Sequence, residues 1–146
     1  MKLLALGLLC VVGCGHDPCE GHGPSSEATA PKITAFNFVR QTPSDPWMLI
    51  FATGFADSDG DLGAGHAEVF LDGTAALGSV GLADLFEQSE LDTHATSGTV
   101  GVPLRFNDQI RDGRQVSVQI QVSDAAAHRS NCYESRLKFS VQEGSP

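Results

Sequence analysis

From residue 31 onward the chain reads as short β-forming runs separated by turn signals. Ile33 to Arg40 makes a first strand and Trp47 to Ala56 a second, with Pro43 and Pro46 confined to the connection. His66 to Leu71 is a third. Asp72-Gly73, a pair that favours a two-residue hairpin turn, leads into a fourth at Thr74 to Val80. Thr99 to Phe106 is a fifth, after which Asp112-Gly113 turns the chain again. The cleanest pattern is Gln115 to Ser123. Val116, Val118, Ile120 and Val122 alternate with Ser117, Gln119, Gln121 and Ser123, which predicts one face in the core and one in water. A last strand points Leu137, Phe139 and Val141 inward and Arg136, Lys138 and Ser140 outward. About seven strands is the count of an antiparallel sandwich, so residues 31–146 are expected to form one all-β domain.

Two segments break this rhythm. In 81–91, Leu82, Leu85 and Phe86 carry the i, i+3, i+4 spacing of a short amphipathic helix, expected to pack over a sheet edge. Residues 15–30 are polar, rich in Gly, Pro and Ser, and without apolar periodicity, which reads as a flexible tether. Ahead of them, the apolar run Leu3 to Val12 follows a single charge at Lys2. As a helix that run reaches about 15 Å, half of a hydrocarbon core of roughly 30 Å. It is too short to span and has the grammar of a signal peptide.

Two resemblances follow from these residues. Val11-Val12-Gly13-Cys14 resembles the lipobox of bacterial lipoproteins, with small Gly13 before the cut where Leu9 before Cys10 is bulky. The resemblance implies a signal peptide at 1–13 and a Cys14 that becomes the lipidated N-terminus, a membrane anchor held by several acyl chains. Gly15 stands where Asp would retain such lipoproteins on the inner membrane, which implies the outer membrane of a Gram-negative cell. An ordinary secretory signal is the alternative. Separately, the strand ending at Ser123, Asp124-Ala-Ala-Ala-His-Arg-Ser130-Asn131 and the next strand resemble the closing hairpin of bacterial immunoglobulin-like domains, often Asp-x-x-Gly-x-x-Ser. Phe55 to Leu62 followed by Val69 to Gly73 is similar to the second and third strands of such domains. This implies an immunoglobulin-like or fibronectin-III-like sandwich. Ala127 departs from the usual Gly, and neither the Cys–Trp–Cys set nor the tyrosine corner is present.

The formal charge is −9, and loss of Lys2 with the leader takes the mature chain to −10. That acidity argues against nucleic acid and suits divalent cations. Of the four cysteines, Cys10 leaves with the leader and Cys14 takes lipid on the lipoprotein reading. Cys19 and Cys132 then remain as an even pair in an oxidising compartment, and a disulfide between them is expected, with two free thiols as the alternative.

One constellation carries chemistry. In Asp57-Ser-Asp59-Gly-Asp61-Leu62-Gly63-Ala-Gly65-His-Ala-Glu68, carboxylates at alternate positions of a tight loop could converge on a hard cation such as calcium. Against an EF-hand loop, Asp57, Asp59 and Asp61 take positions 1, 3 and 5, the Gly63 carbonyl position 7 and Glu68 position 12. Leu62 replaces the turn-forming Gly and the flanks are strands, so a calcium loop between strands is the reading and a plain solvated turn the alternative. Glu68 could instead point to solvent from the third strand. Asp124 would add a ligand if the two loops met at one pole.

His16, Asp17, Cys19, Glu20 and His22 form a looser set for zinc or copper, while His66, His94 and His128 read as surface or loop residues. No nucleophile or phosphate-binding motif is present, so no catalytic residue is assigned and no enzyme is expected. The expected function is a lipid-anchored envelope module, calcium-stabilised through Asp57, Asp59, Asp61, Gly63 and Glu68, that binds a protein or glycan. The alternative is an accessory subunit of an envelope complex facing the periplasm.

Overall fold

A computed structural model describes Cys19 and residues 23–106 and 113–140, with the side chains of 74–77 left aside. The expected leader (1–13), Cys14 with its expected lipidation, His16, Asp17, Glu20, His22, Asp112 and Val141 lie outside the described residues.

Seven strands form among the described residues: β1 (Lys32–Thr42), β2 (Asp45–Ala56), β3 (His66–Leu71), β4 (Thr74–Gly81), β5 (Ser97–Arg105), β6 (Gln115–Ser123) and β7 (Tyr133–Lys138). They build two antiparallel sheets, ordered β1-β2-β5 and β4-β3-β6-β7. The fold is the expected all-β sandwich. Its split is three and four strands, with β4 beside β3; constant-type immunoglobulin domains place their fourth strand on the opposite sheet. The inner faces meet in one core, with Phe36, Leu49, Phe51 and Val102 from one sheet against Val69, Val118 and Ile120 from the other.

The helix lands where its stripe places it. α1 (Leu82–Gln88) buries Leu82, Leu85 and Phe86, and Phe86 lies 5.0 Å from the Phe55 ring. The β3–β4 hairpin turns through Asp72 at φ +51° and Gly73 at φ +83°, the left-handed pair that an Asp-Gly turn requires.

Four local expectations change. Pro46 lies within β2, not in the connection, which is reduced to Pro43-Ser44. The β1–β2 register slips between Gln41 and Thr42 beside it, and an irregular ladder tolerates a residue with no N–H. The polar face of β6 is not wet: Gln119, Gln121 and Ser123 are buried. β6 is an inner strand, and the Gln121 amide donates to the Ser130 carbonyl at 2.9 Å while Gln119 Oε1 accepts the Gly73 N–H at 3.0 Å. β7 begins at Tyr133 and ends at Lys138, so Phe139 is buried just beyond the strand.

The fourth change concerns the tether. Cys19 and Cys132 form a disulfide, with Cα atoms 5.9 Å apart, and Cys19 is buried. Beyond it the Ser25 N–H donates to the Arg129 carbonyl at 2.9 Å and Ser25 Oγ accepts the Arg129 N–H at 2.8 Å. The stretch expected to be a flexible tether is therefore fastened to the β6–β7 connection at Cys19 and again at Ser25. The Asn131 side chain fastens the start of β1 to the same connection: its Oδ1 accepts the Ile33 N–H and its amide donates to the Ile33 carbonyl.

Candidate metal centre

The pole of the sandwich where β1 begins also gathers the ends of β2, β4 and β6 and the starts of β3 and β5. Lys32 pairs with Ala56, Ala56 with Ser97, and His66 with both Gly81 and Ser123. The aspartate loop leaves β2 here. The Asp57 N–H donates to the Thr96 carbonyl at 2.8 Å, and Asp57 Oδ2 accepts the Leu62 N–H at 2.8 Å. Leu62 opens a short 3-10 turn, Leu62–Ala64, and buries its side chain in the core. A core leucine therefore stands where an EF-hand needs a mobile glycine. Gly60 makes the sharp turn instead, at φ +72°.

Gly65 decides where this loop goes. A Cβ there would stand 1.9 Å from the Ser123 carbonyl oxygen, so the backbone entering β3 lies directly on the end of β6. That contact brings the β6–β7 loop against the aspartate loop. One carboxylate oxygen each from Asp57, Asp59, Asp61 and Asp124 lie within 4.8 Å of one another. Asp57 is 1% and Asp124 3% exposed, Asp61 is half-buried and Asp59 is exposed.

The electrostatics are those of crowded like charges. Burial pushes the Asp57 carboxyl above the ordinary range, the Leu62 N–H bond works against this, and Asp59 and Asp61 push the same way as burial. Asp61 is also raised, first by burial and then by the charges of Asp124 and Asp59, with His128 opposing. Oδ1 of Asp57 and Oδ1 of Asp61 are buried with no hydrogen-bond partner. Asp124 is held in place: its Oδ1 accepts the His128 N–H at 2.8 Å and its Oδ2 meets His128 Nδ1 at 3.0 Å. On the other flank His94 Nδ1 lies 3.3 Å from the Gly60 carbonyl.

Of the residues expected as ligands, Asp57, Asp59 and Asp61 come together. Glu68 does not join them. It sits in β3 between Ser79 and Gln121, because the chain after Gly65 becomes strand and carries position 68 away from the pole. Gly63 lies in the 3-10 turn with its backbone packed on Thr93. Asp124 joins them, as expected if the two loops met at one pole, and the loop residues His128 and His94, read singly as surface or loop histidines, flank the cluster. Asp124 and His128 are signalled in the sequence by an aspartate and a histidine within the β6–β7 connection, whereas His94 lies between α1 and β5 with no such pairing. Four hard oxygen donors suit a divalent cation and offer nothing a soft metal prefers. No protein-family model, curated protein or solved structure matches the chain.

Proposed function

We propose that the protein is a lipid-anchored β-sandwich module of the bacterial outer membrane, binding a partner in the envelope and not catalytic. The observation that carries this reading is the Cys19–Cys132 disulfide. Such a bond persists in oxidising compartments, which agrees with export through the leader at 1–13. Its position matters as well. Cys14 precedes Cys19 by five residues, so a lipid on Cys14 holds the bridge within about 18 Å of the bilayer.

On this reading the pole with the aspartate cluster faces the membrane. The opposite pole, carrying the Pro43-Ser44 turn and the Asp72-Gly73 hairpin, points away and is free to meet a partner. Metabolic labelling with a clickable fatty acid tests the anchor. The wild-type protein takes label and Cys14→Ala does not; an unlabelled wild type, or label surviving the substitution, rejects it. Protease treatment of intact cells then reports the face: cleavage marks an outward module, and protection marks a periplasm-facing accessory subunit.

A further inference from the structure

Asp57, Asp59 and Asp61 follow β2 of the three-stranded sheet, whereas Asp124 follows β6 of the four-stranded one. We propose that these four carboxylates form a calcium site that cross-links the two sheets at the pole where the strapped N-terminal segment enters. The inference is independent of the lipid anchor.

Two observations carry it. The first is the convergence itself. Oxygens sharing one calcium at 2.3–2.6 Å stand at most about 5.2 Å apart, and the four candidate atoms lie within 4.8 Å of one another. The second is the pair of orphaned acceptors. Asp57 is 1% exposed, and its Oδ1 has no hydrogen-bond donor although its Oδ2 takes the Leu62 N–H. Asp61 Oδ1 is likewise buried and unpartnered. A buried carboxylate oxygen without a donor is unfavourable unless a cation meets it. Two such atoms in one cluster of like charge are what a hard cation satisfies together.

The donor set selects the ion. All four donors are carboxylates, which disfavours zinc and copper. Magnesium keeps most of its water and takes one or two carboxylates, whereas calcium accepts six to eight oxygens in irregular geometry. His128 acts behind the ligands. By contacting both oxygens of Asp124 it fixes that carboxylate toward the loop, as hydrogen-bonded partners of metal ligands commonly do.

The test uses the purified full-length protein, stripped with chelator and titrated with calcium chloride by calorimetry. One site is expected, with a melting temperature raised by about 5–10 °C at saturation. Asp124→Asn and Asp59→Asn each weaken calcium by at least about tenfold, the loss typical even of residues behind the ligands. Asp124 also orders its own turn, so Asp59→Asn is the decisive variant: its side chain is exposed and its charge only repels Asp57 and Asp61, so the ion-free melting temperature is equal to or above that of wild type while calcium affinity falls. The Cys14→Ala protein keeps full calcium affinity, which separates this site from the anchor. Absence of binding at millimolar calcium, undiminished affinity in Asp59→Asn, or an equal response to magnesium overturns the proposal.

Discussion

A carboxylate oxygen of Asp61 lies within 4.8 Å of one of Asp124, although the two residues leave opposite sheets of the sandwich. At an effective dielectric near 20, two full charges at that distance repel by about 3 kcal/mol. The fold brings them together where the backbone at Gly65 lies directly against the Ser123 carbonyl.

Gly65→Ala is expected to cost about 2–3 kcal/mol, the scale of an overpacked interior, because its methyl meets a carbonyl on a fixed strand end. The same shift moves Asp61 away from Asp124, so calcium affinity falls together with stability. Chemical denaturation and calcium titration of the one variant check both. Wild-type stability would show that the loop is not clamped there.

Ala127 lies at φ +66°, a conformation that penalises any residue with a Cβ. It occupies the position where the resembled hairpin pattern carries glycine. Ala127→Gly is expected to stabilise by about 0.5–1 kcal/mol, the relief of strain exceeding the added freedom of the unfolded chain. Thermal melts of the two proteins decide it, and a lower melting temperature in the variant contradicts the strained turn.

The Cys19–Cys132 bond closes a loop with a sequence separation of 113. The chain-entropy relation assigns such a loop about 4 to 5 kcal/mol, so Cys132→Ser is expected to be destabilised on that scale. The strap at Gly23–Ser25 should also become an early protease site, since three hydrogen bonds with Arg129 are then left to hold it without the covalent link. Limited proteolysis followed by mass spectrometry locates the cut. Thiol counting on the denatured, unreduced mature protein should find none.

Glu134 is held below the ordinary carboxylate range, first by the Ser117 hydroxyl and then by Arg136. A depressed folded value means the contribution is complete above the unfolded value, roughly 4.3, and is lost as pH falls through the folded one. Glu134→Gln should therefore be less stable than wild type at pH 6, by under about 1 kcal/mol for so exposed a pair. The two curves should merge below the folded value. Denaturant melts from pH 6 to pH 2.5 test this, and a gap that widens in acid would reverse the sign.

Elements governed by neighbours in the chain were legible. The alternation of Val116, Val118, Ile120 and Val122 located β6, Asp72-Gly73 located its hairpin, and Leu82, Leu85 and Phe86 located the helix. The parity of Cys19 and Cys132 anticipated their bridge once Cys10 and Cys14 had other roles on the lipoprotein reading. Glu68 shows where that reasoning stops. Its spacing from Asp57 is that of a loop ligand, but spacing means position only if one loop runs the whole way.

By itself the sequence determined the strands, the short helix, the cysteine pair and three aspartates on one turn, because each is set by periodicity or by residues a few positions apart. Tertiary structure alone decided that Gln119 and Gln121 are buried, that the tether is strapped to Arg129, and that Asp124 joins the cluster while Glu68 does not. Those outcomes depend on which strand ends share a pole and how closely they approach. The approach of Gly65 to Ser123 is a steric fact between distant segments, and no local pattern encodes it.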